Sequence, residues 1–145
     1  MTDETLRSIA LTKIGDDRFK ATNVRGGETF MGSGGEDPDF TPAELLLAAL
    51  AGCSAIEVDL VTGNRATATG FDMTAEGHKV RDDHGSHLTG LRLTFDVRFP
   101  DGPEGDAARE VLPRAIEMSR DRLSTVVRTV QLGADVTCER ADTEL

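Results

Sequence analysis

Apolar and polar positions alternate up to Pro38, give way to an almost unbroken apolar run, alternate again, and then recur at helical spacing. The first alternation predicts strands. Leu6, Ser8, Ala10, Thr12 and Ile14 share one face, with Arg7, Ile9, Leu11 and Lys13 on the other. Gly15-Asp16-Asp17 then reads as a turn into a second strand over Arg18 to Val24, and Gly26-Gly27 as a turn into a short third strand from Glu28 to Met31. An antiparallel meander follows, left by a flexible loop from Gly32 to Pro38.

Thr41-Pro42-Ala43-Glu44 carries three helix-start signals: an N-cap threonine, a proline at the first helical position, and a glutamate placed to close a capping box. The helix is expected to run to about Thr62, with Gly63-Asn64 as its stop. Leu45, Leu46, Leu47, Ala49, Leu50, Cys53, Ile56, Val58, Leu60 and Val61 cover nearly its whole circumference. That distribution predicts a helix buried on several sides, a central one wrapped by sheets.

Alternation returns over Gly70 to Val80 and Leu88 to Pro100, a long hairpin with a loop from Arg81 to Ser86. Ala107, Ala108, Val111, Leu112, Ala115, Ile116 and Met118 then recur at the helical period. Pro113 should kink or split that helix by removing a backbone donor. Arg122 to Val130 reads as a further helical turn or two closed by Gly133, and Ala134 to Glu139 as a final strand. Strand runs and helices do not strictly alternate, so the fold class is α+β, in a single domain over residues 1–145.

Composition narrows the function classes. With no Trp or Tyr the core must be aliphatic, and stacking on bases is nearly excluded. Twenty-six acidic against 16 basic residues give a formal charge of −10, which repels nucleic acid and anionic lipid surfaces. The first residues lack a basic segment followed by an apolar run, and no stretch approaches the ~18 apolar residues of a membrane span. The chain therefore reads as soluble and cytoplasmic. Cys53 and Cys138 lie too far apart in sequence for a metal-ligand pair and form no secreted disulfide framework. His78, His84 and His87 fall on the hairpin without a helix-like ligand pair. A lone thiol among alanines and leucines is either inert filling or the nucleophile of a redox site.

Phe40-Thr41-Pro42-x-Glu44-Leu45-Leu46-Leu47-x-Ala49-Leu50-x-Gly52-Cys53-Ser54-Ala55, followed later by Ser119 and by Thr125-Val126-x-Arg128-Thr129, resembles the OsmC/Ohr superfamily over almost the full chain. The resemblance implies an intertwined α+β homodimer with antiparallel sheets around long central helices and active sites at the subunit interface. It also implies thiol-dependent reduction of organic hydroperoxides in peroxide detoxification and stress response, without metal, haem or flavin. Cys53 matches the family's peroxidatic cysteine, whose thiolate attacks the O–O bond and becomes a sulfenic acid.

Two departures follow from the same comparison. The family's resolving cysteine matches Ser124, and a hydroxyl cannot form a disulfide. The family also pairs the thiol with an N-terminal arginine held by a glutamate near the start of the helix. Here the matching position is Ala43, and Glu44 comes one residue later. At ~100° per residue Glu44 and Cys53 lie about 180° apart on their helix, so any role of Glu44 is indirect or across the dimer. Capping accounts for Glu44 as well, and the two roles are compatible. Arg18 and Arg25 are the N-terminal arginine candidates, Arg128 matches the family's Arg-Thr pair, and Arg122 is an equally near cation. Glu57, one turn after Cys53, opposes thiolate formation unless neutralised.

Two function classes are expected. One is a one-cysteine hydroperoxide reductase that uses an external thiol or dithiol. The other is a non-catalytic member binding an apolar ligand at the dimer interface. A redox sensor joining Cys53 and Cys138 between chains is a third.

Overall fold

In the computed structural model, which describes residues 3–141, the first alternating segment folds as the expected meander: β1 (Ile9–Gly15), β2 (Arg18–Asn23) and β3 (Glu28–Met31), antiparallel in that order. Ile9 pairs with Asn23 and Phe19 with Met31, and the register shifts between Lys13 and Gly15. Asp17 closes the first turn at φ 54°, a left-handed conformation that aspartate tolerates.

The loop after β3 is tied rather than loose. Gly32 N–H donates to the Phe40 carbonyl at 3.1 Å and Asp37 N–H to Gly34 at 3.3 Å, while Arg18 on β2 pairs with both Asp37 and Asp39. Gly34 and Gly35 sit at φ 93° and 68°, values open to glycine at no steric cost. The glycines thus shape a fixed turn, where the composition alone suggested flexibility.

Helix α1 (Pro42–Gly63) has the predicted bounds to within a residue. Its capping box is formed: Thr41 N–H donates to Glu44 Oε1 at 2.8 Å, and Glu44 N–H to Thr41 Oγ1 at 3.2 Å. The chain divides into two compact units inside this helix, between Ala48 and Ala49. Burial along α1 differs from the expectation of a helix enclosed on several sides. Leu50, Ser54, Val58 and Thr62 form one buried stripe at four-residue spacing, whereas Ile56 and Leu60 are each 64% exposed. By length and composition alone α1 is also apolar enough to cross a membrane, contrary to the expectation that no stretch comes close, although core helices share those properties.

In the second unit β4 (Gly70–Asp82) and β5 (Gly85–Arg98) form an antiparallel hairpin. The strands run further into the anticipated loop because Gly85, at φ 93°, permits a two-residue turn in which Asp82 Oδ1 accepts from His84 N–H at 2.8 Å. Phe71, Met73 and Ala75 oppose Val97, Phe95 and Leu93, and the Phe71 and Phe95 rings meet edge to face at 6.3 Å.

Ala66, Phe99 and Ala108 form a buried cluster joined by Ala68, Val97 and Leu112. It anchors α2 (Pro103–Met118) to the end of the hairpin. Gly105 lies so near Pro100 that an added Cβ would fall on its carbonyl oxygen, and Arg109 donates to the Phe99 and Pro100 carbonyls at 3.1 and 3.2 Å. Helix α2 continues through Pro113 without being split. The interruption comes later, as a π-helical turn over Ser119–Leu123 before α3 (Thr125–Leu132), which ends at Gly133 in the left-handed region.

The expected last strand is absent: residues 134–141 are exposed and carry no regular structure. Alternation in this segment supplies strand propensity, but a strand exists only where a neighbour satisfies its backbone groups. The fold is thus α+β with two separate antiparallel sheets and three α-helices.

Candidate functional site

Cys53 lies in the third turn of α1, half-buried and as a free thiol. One residue further, Ser54 belongs to the buried stripe, so the thiol sits at the edge of that stripe rather than at its centre. Glu57 follows one turn later and is also half-buried. The helix therefore presents Cys53 between a packed face and an exposed apolar one.

Ser124 is fully buried and serves as the N-cap of α3. Its Oγ accepts from Val127 N–H at 3.3 Å, and its own N–H donates to the Ser119 carbonyl at 2.9 Å, closing the π turn. Serine is among the best N-cap residues because its short hydroxyl reaches the orphan donors of the first turn. The residue that cannot resolve a sulfenic acid therefore performs a local structural task. Arg128 N–H donates to the Ser124 carbonyl at 2.9 Å, and the Arg128 guanidinium donates to Gln131 Oε1 at 2.7 Å. The Arg-Thr segment is thus built around the serine cap.

The remaining predicted residues divide between the units. Arg18 pairs with Asp37 and Asp39, and Asp39 N–H also donates to Asp37 Oδ1 at 3.0 Å. That backbone donor, with the Arg18 guanidinium, holds the Asp37 carboxyl below its ordinary range, and the Asp37 carboxylate raises the Arg18 pKa. Arg25 sits in the exposed turn between β2 and β3. Glu44 is engaged by Thr41. Arg122 is exposed in the π turn, and Cys138 is exposed and free in the terminal segment. His78 and His87 lie on β4 and β5, with His84 in their turn, and His87 Nε2 lies 3.6 Å from Asp82 Oδ2.

Sequence reasoning missed Asp37 and Asp39 as the partners of Arg18. The available signal was two aspartates flanking a proline in an otherwise glycine-rich loop. It also missed a cavity of about 380 Å³ in the second unit, lined by Leu50 and Ser54 of α1, by β5, and by residues at the α2 to α3 junction, Ser119 among them. Neither Cys53 nor Ser124 lines it.

Residues 34–139 match the model of the family described as OsmC-like protein. An uncharacterised protein of Mycobacterium tuberculosis is 31% identical over 134 residues, covering 90% of this chain and 93% of that protein. Among solved structures, the OsmC-like protein from Mycoplasma pneumoniae has a TM-score of 0.71 at 16% identity, covering 89% of each chain. The organic hydroperoxide resistance protein OhrB of Bacillus subtilis has a TM-score of 0.57 at 14% identity, covering 84% of this chain and 90% of that one. At such identities the structures establish the shared fold, and with the family match they lead to one conclusion: this chain belongs to the OsmC-like protein family.

Proposed function

We propose that the chain is a one-cysteine hydroperoxide reductase in which Cys53 is the peroxidatic residue and an external thiol completes the cycle. The observation that carries this reading is the contrast between the two family positions: Cys53 is a free, half-exposed thiol, whereas Ser124 is sealed as a helix cap. The Cys53 thiolate attacks one peroxide oxygen, the O–O bond breaks, and the departing alkoxide takes a proton to leave as an alcohol. Cys53 is left as a sulfenic acid. An external thiol condenses with it, releasing water and forming a mixed disulfide. A second thiol equivalent then displaces Cys53 and leaves as the oxidised disulfide.

Arg18 is the cation this reading assigns to thiolate activation, with Arg25 and Arg128 as lesser candidates. In the free chain Arg18 is shared between Asp37 and Asp39, so its pull on a thiolate is reduced. Glu44 acts through α1 capping. The whole chain acts as one domain, since α1 runs unbroken across the division between the two units. A cytoplasmic homodimer accounts for the apolar positions that a single chain leaves open on α1, including Leu46, Ile56 and Leu60. The test is consumption of cumene hydroperoxide with a dithiol present: the wild type turns over and Cys53→Ser does not. Absence of turnover with several thiols would sink the proposal. Co-purification of an apolar ligand, with Cys53 unreactive to a thiol probe, would favour the non-catalytic reading, which the cap role of Ser124 already supports.

A further inference from the structure

The cavity in the second unit needs an account of its own, because it lies within one chain and its walls exclude both family cysteine positions. Its lining is mainly aliphatic, with Leu50, Leu91, Leu93, Ile116, Val127 and Val130 prominent, and Phe95 from the hairpin. A volume of about 380 Å³ is within the range of small-molecule sites, roughly 300–1,000 Å³.

Within this apolar lining one polar group stands out. Ser119 is 1% exposed, and its Oγ is buried with no hydrogen-bond partner among the described residues. Its carbonyl is spent on Ser124 and its N–H on the preceding turn of α2, so the hydroxyl alone is unsatisfied. A buried hydroxyl without a partner is costly and uncommon in folded proteins, and each instance calls for an explanation. Ser119 lines the cavity, which means a molecule seated there can supply the missing partner.

Charge at the site selects among ligands. Arg120 is the cationic residue of the lining, but its guanidinium forms two hydrogen bonds to Asp121, at 2.7 and 3.2 Å. The pair leaves little net positive charge to receive a carboxylate or phosphate, and an anion placed among the aliphatic walls would lose hydration without compensation. From the cavity, the orphan hydroxyl and the neutralised arginine together, we propose that this is a second ligand site, separate from Cys53, for a small neutral molecule. Its ligand has an apolar body and a single hydroxyl or carbonyl that hydrogen-bonds Ser119.

Naphthalene, 2-naphthol and 2-naphthoate share one apolar body and differ in the polar group, so amide chemical-shift titrations of the full chain with each would separate the terms. 2-Naphthol should bind saturably, with shifts at Leu91, Phe95, Ile116, Val127 and Val130, and about fivefold tighter than naphthalene, the worth of one neutral hydrogen bond. 2-Naphthoate should bind about tenfold more weakly than 2-naphthol, or not at all. Ser119→Ala should abolish the preference for 2-naphthol while leaving naphthalene binding intact, and should keep or raise the Tm, because it removes an unsatisfied hydroxyl. Val130→Trp, at a position 39% exposed, should fill the cavity and block both neutral ligands without unfolding the chain. Cys53→Ser should leave binding unchanged, which separates this site from the peroxidase reading. The proposal is overturned if 2-naphthol does not bind, if 2-naphthoate binds as well as 2-naphthol, or if the preference survives Ser119→Ala.

Discussion

At the scale of single residues, Ser124 governs the account. Its hydroxyl caps α3, so Ser124→Ala should destabilise the chain by about 1 kcal/mol, read from the denaturant midpoint. An unchanged midpoint would mean the cap is ornamental. Asp37 offers a pH signature. Its folded pKa is depressed, so its contribution to stability is present above the unfolded aspartate value of ~3.9 and is lost as pH falls through the lower folded pKa. An NMR titration should place the Asp37 carboxyl below an ordinary aspartate, and Arg18→Gln should move it back upward. Asp39 N–H should preserve part of the shift in that variant.

Among the elements, the start of α2 is the tightest point. Gly105 packs against the Pro100 backbone, with Arg109 holding the Phe99 and Pro100 carbonyls just beside it. Gly105→Ala should therefore cost about 1–3 kcal/mol, as overpacking does, even though alanine is the better helix former. A stabilised variant would show that the junction yields. What was legible at this scale was local. The capping box of α1 lies within four consecutive residues, and both ends of that helix follow from it and from Gly63. The π turn at Ser119 was not legible, because Pro113 is the stronger helix breaker in sequence, yet α2 runs on through it. The last strand failed for the opposite reason: Val136 and Cys138 supply alternation, but pairing depends on a neighbour that local sequence does not specify.

For the whole molecule, long-range pairing marks the limit of sequence reading. Cys53 and Ser124 were identifiable from motif spacing, whereas the tie from Arg18 to Asp37 and Asp39 joins residues about twenty positions apart and only the fold reveals it. The apolar circumference of α1 was read correctly as a composition, but one chain buries only the stripe from Leu50 to Thr62. Light scattering should accordingly give the mass of a homodimer, and Ile56→Glu on the exposed face should shift it toward monomer. A monomeric wild type would contradict the assembly. The central claim, that Cys53 performs the chemistry without a partner thiol at Ser124, is tested most directly by intact mass after one equivalent of cumene hydroperoxide. The account predicts gain of oxygen at Cys53, no intramolecular disulfide, and return to the reduced mass on addition of an external dithiol. A thiol that stays unmodified, or a disulfide joining Cys53 to Cys138, would contradict it.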